Sequence, residues 1–294
     1  ALDGQGLGEA IREYERIQDA LGRVASYAHL VHAGHMDDAS VSQFFQNTTE
    51  RVNDITAELL FFVLELNRLP EEDLAARLED DGVAHYGPWL RDIRVFRKHE
   101  LRDDLERLFH EKQVTGGSSW IRLFGQTMAG LRFPVGGRDL TSEQALHLLS
   151  DTDRAVRREA AESLGTVFAG NLHLFALITN TLAKDKEIED RWRNYGRPSD
   201  SRHLSNFVEP DVVAALKDSV EDAYPRLSHR YYLLKARWLG LEKLEYWDRN
   251  APLPEDADRI RPWSEARETV LDAYGQFSTE LAAIGRRFFA SAWI

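Results

Sequence analysis

The stretch SHRYYLLKARWLGLEKLEYWDRNAPLP (Ser228–Pro254) contains both the helical signal that dominates this sequence and a point at which that signal stops. Tyr231, Leu234 and Trp238 follow at intervals of three and four residues, so they share one face of a predicted helix. Gly240 comes directly after them and is predicted to cap the C-terminal end of that helix. The aromatic residues beyond it predict a short extended segment that leads into a proline-rich turn.

Helical spacing of apolar residues extends over most of the 294 residues. It predicts long helices at about residues 8–31 and 40–67, shorter helices near 71–78, 88–98 and 101–113, and a further helical unit from residue 153. Long amphipathic helices joined by short connections are typical of antiparallel helical hairpins. We therefore predict a mainly α fold, a multi-helix assembly of antiparallel helical hairpins with one small β-hairpin.

The predicted β-hairpin lies near residues 130–141. Two short runs, LRFPV and RDLT, flank Gly136 and Gly137, and a Gly-Gly pair between such runs favours a tight turn. Pro134 lacks a backbone N–H group, which limits its strand to an edge. Thr141 or Ser142 is predicted to cap the helix that begins after the hairpin.

A segment rich in helix-breaking residues, Gly196-Arg-Pro-Ser-Asp-Ser201, marks the predicted domain boundary. We expect residues 1–195 to form an N-terminal helical lobe that includes the hairpin. Residues 196–294 are expected to form the beginning of a second helical domain.

Composition excludes several classes of function. The chain has 37 basic and 49 acidic residues, and its net charge of −12 argues against non-specific binding to nucleic acid or to anionic membranes. It contains no cysteine, which excludes disulfides and a cysteine nucleophile and fits a reducing compartment. No run of apolar residues approaches the length of a membrane span, so we predict no membrane association. A cytoplasmic location is predicted because it is a reducing compartment.

Three motifs lie before Ser228–Pro254 in the sequence: DRAVRR at residues 153–158, NYG at 194–196 and RHLSN at 202–206. Together with Ser228–Pro254, they resemble the oligoendopeptidase F family of zinc metallopeptidases, which is related to thimet oligopeptidase. The resemblance covers most of the chain from about residue 101 onward. It corresponds to the N-terminal part and the early catalytic part of the family.

The resemblance implies a helical enzyme that hydrolyses short peptides. It also implies zinc held by the two histidines of an HExxH motif and a downstream glutamate, with the glutamate of the motif as general base. This sequence contains no HExxH motif. We therefore expect a fragment that is inactive alone and carries neither catalytic nor zinc-binding residues.

Both ends of the sequence look like internal segments. The final residues, Phe288–Ile294, are largely apolar and carry no glycine or proline that would stop a helix. An exposed apolar surface of this kind favours association. Self-association through the C-terminal helix is therefore expected.

Tyr246, Trp247 and Asp248 are the candidate substrate-binding residues. An aromatic pair beside a carboxylate on an extended edge could line a peptide groove, because edge strands bind extended chains through main-chain hydrogen bonds. The alternative interpretation places Trp247 in the core and Asp248 at the cap of the following turn. Sequence alone leaves both interpretations open.

Two other classes of function are weighed against a peptidase. A non-enzymatic helical scaffold or adaptor would use the same apolar stripes only for helix packing. A metal-binding bundle could use His29 and His32, which share a helix face. His110-Glu111 begins as a zinc motif would, but Val114 stands where the second histidine is needed.

Overall fold

The structure is a computed structural model that describes residues 3–253 and 261–291. Helices dominate these residues and a single two-stranded sheet accompanies them, which confirms the predicted mainly α fold with one small β-hairpin. The α-helices of the described residues are α1 Gly4–Gly34, α2 Ala39–Arg68, α3 Glu71–Leu78, α4 Asp81–Ala84, α5 Gly87–Arg94, α6 Asp103–Lys112, α7 Gly117–Gly130, α8 Ser142–His147, α9 Arg154–Gly170, α10 Leu172–Trp192, α11 Asp200–Ser205, α12 Pro210–Ala223, α13 Ser228–Trp238, α14 Trp263–Phe277 and α15 Thr279–Ala290.

Helices α1 and α2 pack against each other along their length, as the helical periodicity predicts. Asp38 accepts hydrogen bonds from the backbone of Ser40 and Val41 and so caps the start of α2. Aromatic rings lie between the two helices, with the centroids of Tyr14 and Phe62 4.8 Å apart. One hydrophobic core lies at this end of the chain, and its buried residues come from α1 to α5: Leu7, Ile11, Leu66, Leu74, Val83 and Leu90.

The β-hairpin consists of β1 Phe133–Val135 and β2 Arg138–Leu140 in antiparallel register. Gly136 and Gly137 form its turn with φ angles of 59° and 74°, which are strained for residues that carry a Cβ atom. The inward side chains of the hairpin meet α8 and α9 in a second core of Phe133, Val135, Leu140, Ala145, Ala160 and Leu164.

Helix α8 begins where the sequence predicts. The hydroxyl of Thr141 accepts a hydrogen bond from the backbone N–H of Gln144, and the side chain of Gln144 accepts one from the backbone N–H of Thr141. These two bonds form a capping box, which satisfies two N–H groups that a helix start leaves without partners. Strand β2 therefore leads directly into a helix whose N-terminus is capped.

Some elements depart from the predicted pattern. The helical unit predicted from residue 153 is two helices, because the chain bends by 66° between α9 and α10 around Asn171. Helix α7 has no counterpart in the sequence-based prediction, since three glycines in its 14 residues lower its helical propensity. Gly240 has a φ of 66° after α13, as predicted for a C-terminal cap.

The chain divides into two compact units as far as it is described. The first comprises Ala1–Leu233 and Leu244–Ala251, and the second comprises Leu234–Lys243 and Pro252–Ile294. In the second unit α14 packs against α15. The predicted domains 1–195 and 196–294 stay a prediction.

No single helix in the described residues is long and apolar enough to cross a bilayer. Within the same residues, α9 and α10 reach that length and apolar composition only when taken together, as a bent pair.

Candidate functional site

The candidate residues Tyr246–Asp248 form one turn of 3₁₀ helix, so the prediction of an extended backbone is wrong for these three residues. Two hydrogen bonds close the turn. The carboxylate of Asp248 accepts one from the backbone N–H of Glu245 at 3.0 Å, and the backbone N–H of Asp248 donates to the carbonyl of Glu245 at 2.9 Å. Glu245, directly before the turn, has the extended angles φ −89° and ψ 167°.

The carboxylate of Asp248 is fully buried and holds two arginines of α9. Arg154 donates from Nη2 to Oδ2 at 2.8 Å and from Nε to Oδ1 at 3.0 Å. Arg157 donates from Nη2 to Oδ1 at 3.0 Å and from Nη1 to the carbonyl of Asp151 at 2.8 Å. Asp248 therefore fixes its own turn to the start of α9.

Burial alone would raise the pKa of Asp248. Hydrogen bonds from Arg154, from the backbone of Glu245 and from Arg157 outweigh burial and lower the pKa to about 2. The carboxylate is thus ionised at neutral pH. Its charge is compensated inside the protein and is not presented to solvent.

Trp247 and Tyr246 lie on the outer side of this network. The Trp247 ring is partly buried, and the guanidinium of Arg158 lies 5.6 Å from its centroid. The Nε1 atom of Trp247 is buried and makes no hydrogen bond within the described part of the chain. Tyr246 packs edge-on against Trp247 with centroids 4.8 Å apart, yet it remains 67% exposed. The structure therefore brings the three candidates together and leaves Tyr246 as the one that faces solvent.

Sequence reasoning missed Arg154 and Arg157 as partners of Asp248. Their signal was present, because both lie in the DRAVRR motif and their spacing of three residues places them on one face of α9. The sequence gives no sign that this face of α9 pairs with a carboxylate about ninety positions later.

A second polar feature of the first unit is a cleft of about 440 Å³, here called the Arg193 cleft. It is lined by Leu64, Phe96, His99, Glu100, Glu106, Lys186, Glu189, Asp190, Arg193, Tyr195 and Ser201. Asn194 adopts a left-handed φ of 57° after α10, a conformation that asparagine tolerates. The backbone N–H of Tyr195 then donates to the carbonyl of Asp190 at 2.9 Å, which turns the chain back toward the end of the helix.

Paired charges form one wall of the Arg193 cleft. Glu106 accepts two hydrogen bonds from Arg193 at 2.7 and 2.9 Å, and Glu189 accepts a third at 2.7 Å. Burial raises the pKa of Glu106, but the hydrogen bonds from Arg193 and from the backbone of Leu101 outweigh burial and lower it. Lys186 pairs with Asp190 at 2.6 Å.

Histidines that could suggest a metal site make other contacts. The Nε2 atom of His110 lies 2.8 Å from the hydroxyl of Thr56. His32 is 5% exposed and stacks on Phe45 with centroids 4.5 Å apart, and His29 lies against the same ring. In residues 3–253 and 261–291, no group of three His, Asp or Glu side chains is arranged to hold a metal ion.

Comparisons with known proteins converge on one family. The sequence profile described as Oligopeptidase F matches residues 65–133. Oligopeptidase PepF of Bacillus subtilis is 22% identical over 98% of this chain and 44% of its own length. Group B oligopeptidase PepB of Streptococcus agalactiae is 26% identical over 93% of this chain and 46% of its own length. The chain thus spans less than half the length of these curated relatives.

Solved structures show the same fold. The crystal structure of oligoendopeptidase-F from Enterococcus faecium has a TM-score of 0.79 and 23% identity to this chain. The match covers 96% of this chain and 55% of that one. The solved structure thus shows the fold, and the profile, the curated relatives and the order of motifs along the chain support the oligoendopeptidase F family for this chain.

Proposed function

We propose that this chain is part of a zinc metalloendopeptidase that hydrolyses short peptides. The observation that carries the proposal is the extent of the similarity, since 98% of the chain aligns with a protein named Oligopeptidase PepF. The chain spans 44% of that relative, so the activity is proposed for a longer protein and not for these 294 residues.

The residues described here do not fit the zinc site that the family implies. The chain contains no HExxH motif, and no cluster of metal ligands occurs in the part that the structure describes. We therefore assign zinc and the hydrolytic step to a segment that this sequence does not include. The 294 residues alone are expected to be inactive.

The proposed role of this chain is to contact the peptide. Tyr246 has an exposed ring next to Trp247, and both are held on α9 by the bonds between the buried carboxylate of Asp248 and its two arginines. A rigid aromatic side chain can bind an extended peptide with little loss of conformational entropy. Asp248 itself would not contact the peptide. Its carboxylate would fix the position of the turn that presents Tyr246.

The compartment is proposed to be the cytoplasm. The chain has no cysteine, which fits a reducing environment. Short peptides are the proposed substrates, and neither nucleic acid nor a membrane is a proposed partner of this acidic chain.

Peptide contact can be tested with fluorescently labelled short peptides and the purified chain. Fluorescence anisotropy is expected to show saturable binding that weakens when Tyr246 is replaced by alanine. Tyr224→Ala is the matched control, because Tyr224 is also exposed, at 46%, but lies after α12. Equal binding by wild-type protein and Tyr246→Ala would contradict the proposed role of Tyr246.

A further inference from the structure

The Arg193 cleft contains one carboxyl group that its ion pairs leave without a cation. Glu106 and Glu189 bind Arg193, and Asp190 binds Lys186. Glu100 has no basic side chain within ion-pair distance in the described residues. Arg68 and Arg97 favour the ionised form of Glu100 only from outside ion-pair distance, and their own ion pairs are with Asp103 and Glu71.

The group that Glu100 does contact is itself incompletely satisfied. Asn67 is 1% exposed and donates from Nδ2 to Glu100. Its Oδ1 atom is buried and accepts no hydrogen bond within the described part of the chain. Buried polar atoms usually have a partner, so an orphaned acceptor beside an unpaired carboxyl is unusual. Glu100, which lines the cleft, is thus held by a neutral amide outside the lining and not by a cation.

A stacked aromatic pair lies beside the same carboxyl group. The rings of His99 and Tyr195 have centroids 3.9 Å apart, and Nδ1 of His99 lies 2.8 Å from the carbonyl of Arg193. A carbonyl can only accept, so Nδ1 carries the hydrogen and Nε2 of the neutral ring is an acceptor. The hydroxyl of Tyr195 makes no hydrogen bond with any described residue.

Charge gives the chemical class of the ligand. Among the residues that line the cleft, four carboxylates face two permanently cationic side chains. Aromatic faces attract cations, and Leu64 and Phe96 add apolar surface for a short carbon chain. We propose that the Arg193 cleft binds a primary ammonium group carried on a small molecule, with Glu100 as its counter-ion and the His99–Tyr195 pair beside it.

This binding does not depend on the proposed peptidase activity. Burial raises the pKa of Glu100, and a bound ammonium group would lower it again by favouring the ionised form. Binding should therefore weaken as the pH falls through the pKa of Glu100. The Glu100 titration can be followed separately from any enzymatic reaction.

The test uses the whole chain and three probes: n-butylammonium, a tripeptide with a free amino terminus, and the same tripeptide with that terminus acetylated. Chemical-shift changes measured by NMR are expected to be saturable for the first two probes and absent for the acetylated one. Tighter binding of the free tripeptide than of n-butylammonium would indicate a peptide amino terminus as the source. Equal affinities of the free tripeptide and n-butylammonium would indicate that the cleft recognises the ammonium group alone.

Glu100→Gln is expected to weaken n-butylammonium binding at least tenfold. Glu162→Gln, an exposed substitution on α9 that removes the same charge, should leave binding unchanged. Saturating n-butylammonium should also lower the pKa of Glu100 in the wild-type chain, which tests the site even if the variant does not fold. Unchanged binding by Glu100→Gln, equal binding of the acetylated probe, an unshifted Glu100 titration or no saturable binding by the wild type would overturn the proposal.

Discussion

Asp248 and Arg157 form an ion pair at 3.0 Å in which both side chains are almost completely buried, at 0% and 4% exposure. The pair joins the turn that carries Tyr246 and Trp247 to helix α9. Arg154 adds a second guanidinium to the same carboxylate from a position that is 45% exposed. The local geometry of the candidate site therefore depends on a contact between segments far apart in the sequence.

Replacing Asp248 by asparagine is expected to destabilise the fold strongly. The substitution keeps the shape of the side chain but leaves the buried charge of Arg157 without compensation. Breaking a buried ion pair in this way costs about 3–5 kcal/mol. Urea denaturation measures the change in the free energy of unfolding.

Asp218→Asn is the control for this substitution, because Asp218 is 71% exposed on α12 and its one ion pair among the described residues is with a surface lysine. Its effect should stay within about 0.5 kcal/mol. Equal stabilities of the two variants would show that the network around Asp248 does not hold the turn.

Trp247→Ala should distinguish peptide contact from a role in the core. Trp247 is partly buried, so the substitution should lower the free energy of unfolding by less than is expected for a fully buried tryptophan, which is about 3–5 kcal/mol. If the ring contacts peptide, the same substitution in an intact enzyme should raise KM. Melting temperature and KM are to be measured on the same variant. A large loss of stability with an unchanged KM would assign Trp247 to the core and end its proposed role in binding.

His32 should make stability depend on pH below neutrality. Burial lowers the pKa of His32, with smaller contributions from His29 and Arg122, and its Nε2 atom has no partner in the described residues. His32 is therefore harder to protonate in the folded protein than in the unfolded chain, and protonation favours unfolding. The stability present above the ordinary histidine pKa of about 6.5 is therefore lost as the pH falls through the lower folded value.

Urea denaturation at several pH values between neutrality and about 5 measures this dependence. His32→Leu should reduce the loss of stability at low pH, whereas His173→Gln, at an exposed position on α10, should not. An identical pH dependence in wild type and His32→Leu would show that His32 does not cause it.

The elements predicted best are those whose signals are local. Thr141 and Gln144 form the predicted helix start with their own backbone groups, and Gly136-Gly137 forms the predicted turn with its own φ angles. The conformation of Tyr246–Asp248 was not predictable in this way. Its turn is closed by the carboxylate of Asp248, whose position is set by arginines on α9. Spacing of residues along the chain contains no information about such a distant partner.

Self-association is predicted through the apolar C-terminal helix, whose described part is α15. Helix α15 and the preceding α14 border an apolar groove of about 430 Å³ that includes Ile284 and Phe288, while Trp293 and Ile294 lie outside the described residues. Ile284 is 51% exposed, so Ile284→Lys should reduce association by placing a charge in the groove. Sedimentation velocity of the wild-type chain and the variant measures this effect.

Ala283→Lys is the matched control, because it adds the same charge to an exposed position of α15 outside the residues that line the groove. It should leave the association of the wild-type chain unchanged. A wild-type chain that stays monomeric at all concentrations would contradict the predicted self-association.

Hydrolysis of a quenched-fluorescent short peptide tests most directly whether this chain is the part of a zinc oligoendopeptidase that lacks its own catalytic centre. The assay compares the purified chain, with and without added zinc, with the same chain supplied together with a family segment that carries HExxH. We predict no turnover by the chain alone, and turnover that a chelator abolishes when the HExxH segment is present. Robust turnover by the chain alone, abolished by a chelator and restored by zinc in a preparation free of other peptidases, would contradict the account.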